Sequence, residues 1–267
     1  MKKMNGIAVS VIGSSHIQKE KPCQDYSCFF NGRKSSAVIV CDGHGGEKHF
    51  RSESGARIAS EVICDAVELF AKNVSKGMLY AERQKRLKIF EKNIIYRWRK
   101  AVEEDVAIYP FTDEELKELS DKDKQRVKDN IWLAYGTTLQ CVIKVEDYWY
   151  VIKLGDGNIV GIKGDIIIEP IEPDLRLRFN YTTSLCGEDA FDCIKDAIIP
   201  CAEYDAFIIT SDGVYNSFDD KESYYIFIRQ IYESRETIEL KDELNEFLPK
   251  LSQEGSGDDL SVGLINN

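Results

Sequence analysis

Strand-like and helix-like segments of this 267-residue chain come in runs rather than alternating one by one, and that grouping restricts the fold more than any other feature. Ile7–Ile12, Tyr26–Phe30 and Ala37–Cys41 read as strands, with Asn31-Gly32 between the last two as a hairpin signal. Apolar residues then recur at helical spacing from about Ser54 to Ala71 and again from about Tyr80 to Val106. Residues 112–130 are nearly all charged. Pro110 just upstream and the capping box Thr112-x-x-Glu115 predict a solvated helix there, with a flexible linker as the alternative. Strand character returns over Thr138–Val145, Trp149–Leu154, Ile159–Ile162 and Ile166–Ile168. Residues 170–203 read as an irregular excursion. A buried strand at Ala206–Thr210, helices near 221–233 and 237–251, and a last strand at Leu260–Ile265 complete the chain. A doubly wound parallel sheet needs strict β–α alternation, so the pattern predicts an α+β fold of antiparallel sheets with packed helices. No Pro/Gly/Ser-rich linker divides the chain. A single domain over 1–267 is expected, with the helical segment 75–135 and the excursion 170–203 inside it.

Acidic motifs flank four of the apolar runs. Val38–Cys41 runs into Asp42-Gly43-His44-Gly45-Gly46, and Tyr150–Leu154 into Gly155-Asp156-Gly157-Asn158. Phe207–Thr210 runs into Ser211-Asp212-Gly213, while Gly255-Ser256-Gly257 leads into Asp258-Asp259 before Leu260. Any one of these is also a common turn. A histidine flanked by three glycines after a buried strand is not what a hairpin needs. Aspartates at strand mouths are rigidly placed, and several that converge repel one another unless a cation sits between them. Hard Mg²⁺ or Mn²⁺ ions take such oxygen ligands together with several waters. Two of them can share a bridging water, lower its pKa and aim it at phosphorus.

Charge narrows the partners. The net charge is −11, which repels nucleic acid, whose binding rests on Lys/Arg neutralising phosphates. A metal-dependent nuclease would need a basic groove that this sequence does not offer. The same charge repels phosphorylated substrates at long range, so phosphate chemistry requires local cations, which bound metals supply. The eight cysteines are scattered with no C-x-x-C pair, which argues against a disulfide framework or a zinc site. None has an arginine six positions on, so a C-x₅-R cysteine phosphatase is excluded, and three histidines are too few for a histidine-rich dinuclear phosphoesterase. No apolar run approaches the roughly 18–20 residues that span a bilayer. The N-terminal MKKMNGIAVSVIG reads as a first strand rather than a signal peptide, which gives the expectation of a cytoplasmic protein without membrane partners.

The order of these motifs resembles the metal-dependent protein phosphatases of the 2C type, in particular their bacterial branch. Gln24-Asp25 is similar to that family's early acidic pair, and Val40–Gly46 to its V-x-D-G-H-G-G signature. Gly136-Thr137-Thr138, Gly155-Asp156-Gly157, Thr210–Gly213 and Asp258–Val262 follow in the family's order. The resemblance implies a four-layer α-β-β-α sandwich, two antiparallel sheets flanked by helices, with metals in a cleft at one end. It implies a serine/threonine phosphatase acting on phosphorylated proteins, a Ser/Thr kinase or its target among them. Carried over residue by residue, Asp42 would bridge two Mg²⁺ or Mn²⁺ ions and the Gly43 carbonyl would complete one shell. Asp212 and Asp258 would hold the first ion, Asp25 would reach the second through water, and Asp156 would help bind a third, weaker one. His44 would be the general acid.

The sequence also departs from that family. Glu20 stands where an arginine that binds the substrate phosphate is expected, leaving only His16, Lys19 and Lys21 nearby. A lysine cannot grip phosphate bidentately. Gln24 replaces a glutamate and Asp259 an asparagine, while His49 reads as a surface residue. The missing arginine also raises the alternative of an inactive pseudophosphatase that binds phosphoproteins.

Overall fold

A computed structural model describes residues 6–172 and 182–267. Ten strands occur among them. β1 (Gly6–Val11), β2 (Tyr26–Asn31), β3 (Ser35–Cys41), β4 (Leu139–Val145) and β5 (Tyr148–Leu154) are followed by β6 (Asn158–Lys163), β7 (Ile166–Ile168), β8 (Lys195–Pro200), β9 (Ala206–Thr210) and β10 (Leu260–Asn266). They form two antiparallel five-stranded sheets, ordered β1-β10-β9-β6-β7 and β2-β3-β4-β5-β8. The helices are α1 (Ser14–Gln18), α2 (Ser52–Lys72), α3 (Tyr80–Ile108), α4 (Asp113–Lys117), α5 (Asp121–Asp129), α6 (Ala190–Cys193), α7 (Asp212–Tyr215), α8 (Lys221–Glu233) and α9 (Leu240–Glu254).

The four layers follow from the two-residue period of a strand covered on both faces. All seven residues of β3 are buried. Val38 and Val40 face the other sheet, in a core shared with Trp149, Phe207 and Ile209. Ile39 and Cys41 face the opposite way and pack with Val67 and Phe70 of α2 and Leu87 of α3. On the far side of the sandwich, Ile208 and Leu264 pack with Tyr224 and Ile228 of α8 and Leu244 and Leu248 of α9. Each fully buried side chain of this size contributes about 1.5–3 kcal/mol relative to its exposed form. No helix among the described residues is long and apolar enough to cross a membrane.

Local expectations hold with two revisions. The Asn31-Gly32 hairpin joins β2 to β3, with Gly32 N–H donating to the Ser35 carbonyl at 2.9 Å. The charged stretch 112–130 forms two short helices, α4 and α5, rather than one. Its capping box is present: Thr112 Oγ1 accepts from Glu115 N–H at 3.2 Å, and Glu115 Oε2 accepts from Thr112 N–H at 2.8 Å. Arg51 fastens α4 to the body, its Nε donating to Glu115 Oε1 at 2.6 Å and its Nη2 to Oε2 at 3.0 Å. The second revision concerns the excursion 170–203. Its residues 173–181 lie outside the described residues, but 195–200 form β8, which pairs with β5 from Tyr148↔Pro200 to Lys153↔Lys195. Lys195 and Asp196 hide this strand from a hydropathy reading. On an edge strand such charges are tolerated, and Asp196 pairs with Lys88 of α3.

The turn 131–135 leads into the Gly136-Thr137-Thr138 segment and is seated on α2 through Gly55. A Cβ added there would lie 1.9 Å from the Tyr135 carbonyl oxygen. Trp98 Nε1 donates to the Gly55 carbonyl at 3.0 Å from the other side. In an open helix, Gly→Ala stabilises by about 0.5–1 kcal/mol. Here the backbone clash outweighs that gain. Gly55→Ala is expected to destabilise by roughly 1–3 kcal/mol in urea unfolding, and a variant as stable as wild type would show that the approach of 131–135 to α2 is looser than described.

Candidate active site

Strand pairing alone brings the acidic motifs to one end of the sandwich. Tyr26 pairs with Cys41, so Asp25 and Asp42 leave β2 and β3 side by side. In the other sheet Thr210 is flanked by Asn158 and Val262, which sets Asp156, Asp212 and Asp258 at neighbouring strand ends. The two sheets thus converge on a cleft of about 790 Å³, lined by Asp42, His44, Asp156, Asp212 and Asp258 together with Lys48, His49 and part of the segment 182–189.

Main-chain hydrogen bonds hold these groups in place. Asp42 N–H donates to Thr138 Oγ1 at 3.1 Å, and its carbonyl accepts from Thr138 N–H at 2.8 Å and Thr137 Oγ1 at 3.0 Å. His44 N–H donates to the Gly136 carbonyl at 3.0 Å. A glycine is required at 43, where a Cβ would sit 2.5 Å from the Gln24 carbonyl oxygen. Gly155, with φ of +102°, turns the chain between β5 and β6 and presents Asp156. Asp212 opens α7, and Asn216 Nδ2 donates to its Oδ2 at 3.2 Å.

The electrostatics are those of carboxylates in need of cations. Burial, then the neighbouring Asp25 and Asp212, raise the pKa of Asp42 well above the carboxylate range. Asp212 is pushed up to about 6 by burial and by Asp156. Asp42 and Asp212 are in hydrogen-bond contact, and two carboxylates so placed cannot both stay ionised unless a cation or a shared proton compensates them. Asp25 is buried and raised by desolvation and by Asp259, and its Oδ2 has no hydrogen-bond partner among the described residues. An orphaned buried carboxylate oxygen together with an all-oxygen donor set fits hard divalent ions. No group of three or more acidic, cysteine or histidine side chains among the described residues encloses a single point.

Asp259, standing where the related pattern has asparagine, works as a latch. It is 3% exposed and accepts from the N–H groups of Gly13 and Gln24, both at 2.6 Å. His16 Nδ1 lies 2.9 Å from its Oδ2 without the alignment of a hydrogen bond. His16 Nε2 also lies 4.0 Å from Oδ1 of the cleft residue Asp258, whereas Lys19 and Lys21, exposed just after α1, are not among the cleft-lining residues. The structure thus brings His16, but not Lys19 or Lys21, next to an aspartate of the cleft.

Sequence reasoning missed the opposite wall. His49 is buried rather than on the surface, because the short turn Glu47–His49 folds it against 131–135. Its Nδ1 is 2.5 Å from the Leu133 carbonyl, and its ring meets that of His44 edge-on at 4.9 Å. Beside it in sequence, Lys48 is half-buried and lines the cleft. Nearby arginines are engaged elsewhere, Arg51 by Glu115 and Arg99 by the Gly187 carbonyl and the Trp132 ring. Only the position of Lys48 four residues after His44 could have drawn attention to it. His44 itself is held neutral, its pKa pushed down to about 3 by burial and by the neighbouring His49 and Lys48.

Comparison with known proteins agrees with this geometry. The family model for protein phosphatase 2C matches residues 12–249. Among solved structures, a bacterial serine phosphatase is 16% identical with a TM-score of 0.63, covering 98% of this chain and 97% of its own. Serine/threonine phosphatase Stp1 from Staphylococcus aureus is 17% identical, TM-score 0.63, covering 99% and 95%. The catalytic domain of serine threonine protein phosphatase PstP, in complex with 2 manganese ions, is 14% identical, TM-score 0.57, covering 98% and 97%. A search of curated proteins gave no match. A family match over most of the chain, on a sandwich whose strand ends gather the matching aspartates, leads to one conclusion: this chain belongs to the protein phosphatase 2C family.

Proposed function

We propose that the cleft hydrolyses phosphoserine and phosphothreonine monoesters of proteins, with two Mg²⁺ or Mn²⁺ ions and a third, weaker one beside Asp156, within one domain built from both sheets. The observation that carries this reading is the convergence of Asp42, Asp156, Asp212 and Asp258 with His44 in one open cleft. In it, Asp42 would hold both principal ions and the Gly43 carbonyl would complete one shell, with Asp212 and Asp258 on the first ion and Asp25 on the second through water. Bound divalent ions supply Lewis acidity and an activated water for in-line attack at phosphorus.

The chain's own residues set the rest. His44, neutral in the free cleft, presents an imidazole to the leaving oxygen. A phosphomonoester dianion docked beside it favours the protonated ring, the form that donates a proton to the departing alkoxide. Lys48 is the lysine or arginine that the cleft-lining residues offer to that dianion. As a point charge on a flexible stem it attracts phosphate without fixing its orientation, so orientation falls to the metals. Against the inactive binding-module reading that the missing arginine raises, Asp42, His44, Asp212 and Asp258 are all retained, and all four line the cleft. Free thiols at all eight cysteines suit the reducing cytoplasm, where a phosphorylated kinase or its target would be the partner. The acidic surface disfavours nucleic acid.

Hydrolysis of a phosphothreonine peptide tests this directly. Wild type is expected to turn over with Mn²⁺, to lose activity in EDTA, and to lose at least about a hundredfold in kcat on Asp212→Asn. Folded wild-type protein that is inactive with every divalent ion would overturn the phosphatase reading. Lys48→Gln is expected to raise KM for the peptide about five- to tenfold with kcat little changed, and Lys48→Arg to restore it. An unchanged KM would remove Lys48 from substrate binding while leaving the metal chemistry intact.

A further inference from the structure

Two half-buried cysteines far apart in sequence meet between β2 and α2. Cys28 Sγ lies 3.0 Å from Cys64 Sγ, about 1 Å more than the disulfide bond itself, ~2.05 Å. Ser60, one turn before Cys64 on α2, donates its hydroxyl to Cys28 Sγ at 3.1 Å. Neither sulfur belongs to the cleft, and the phosphatase chemistry uses neither.

We propose that Cys28 and Cys64 form a reversible thiol–disulfide site, closed by hydrogen peroxide and reopened by a dithiol or glutathione, that staples β2 to α2. The Cys28 thiolate attacks the peroxide oxygen, forming an S–O bond as the O–O bond breaks, and the leaving hydroxide departs as water with the thiol proton. The Cys64 sulfur then attacks the sulfenic sulfur of Cys28. The S–S bond forms, the S–O bond breaks, and a second water leaves with the Cys64 proton. Two thiols are oxidised by two electrons in all, and one peroxide is reduced to two waters.

The division of labour follows from the hydrogen bonds. The Cys28 thiol is lowered from its ordinary value, chiefly by the hydrogen bond from Cys64 and further by Ser60, whereas Cys64 is raised by the same contact and by burial. Thiolate character marks Cys28 as the attacking sulfur, and an adjacent thiol captures its sulfenic acid before further oxidation. Cys41 and Cys141 face the same helix layer but are fully buried, and burial keeps their thiols protonated. The bond would close a loop 36 residues apart in sequence. That loop contains Asp42 and His44, so oxidation would constrain the unfolded chain around the cleft without touching it.

The test is a peptide map of the full chain after mild hydrogen peroxide treatment, with thermal unfolding measured before and after. The inference predicts a Cys28–Cys64 cross-linked peptide, loss of two free thiols, and a rise in Tm of about 5–10 °C that dithiothreitol reverses. Cys28→Ser and Cys64→Ser, each shown by circular dichroism to be folded when reduced, should lose both the cross-link and the rise. Stable sulfinic acid at Cys28, cross-links that involve other cysteines, or no loss of thiols at 28 and 64 in wild type would each overturn it.

Discussion

Mutual repulsion among the carboxylates at one end of the sandwich is the constraint on which the rest of this structure depends. Asp42 and Asp212 touch, Asp156 adds its charge, and Asp25 is buried with an unpartnered oxygen. A chain left to relax such an arrangement would splay the strand ends apart. It does not, because each aspartate follows or precedes a strand whose neighbours are fixed by ladders of hydrogen bonds and by a dry inter-sheet core. Hydrophobic burial thus holds charges at distances that water would not allow, and a divalent cation is the group that turns this cost into binding.

The supporting parts sit at the edge of the cleft and act mainly through the main chain. Thr137 and Thr138 clamp the main chain of Asp42, and Asp259 ties Gly13 and Gln24 together next to Asp25. Close backbone approaches at Gly43 and Gly213 leave no room for a side chain. The glycines in these motifs therefore serve packing as much as turning. The outer helices matter through seating: α2 carries Gly55 against Tyr135, which sets the entry into Gly136 and so the position of the His44 amide.

Much of this was legible in the sequence. Asp42, Asp156, Asp212 and Asp258 stood out because each interrupts an apolar run, and a strand end is a local feature. The α+β grouping was readable for the same reason, since it depends on order rather than on contacts. What stayed hidden depends on long-range packing. Lys48 and His49 belong to a three-residue turn with no periodicity, placed by its contacts with residues 131–135 and α5. β8 was masked by the charges of an exposed edge. His16 sits against Asp258 and Asp259 from the far end of the chain, a placement that no local pattern announces. The Cys28–Cys64 contact likewise has no local signal, because a strand and a helix must pack before the sulfurs meet.

The most direct test of the central claim is thermal unfolding of wild type and Asp42→Asn, each in EDTA and with Mn²⁺. Removing one charge from the repelling cluster should raise the metal-free Tm by a few degrees, on the order of 1 kcal/mol of relief. Mn²⁺ should raise the wild-type Tm and leave the variant nearly unmoved. A variant less stable than wild type in EDTA, with a wild-type Tm indifferent to Mn²⁺, would contradict the view that these carboxylates are held together in wait for a cation.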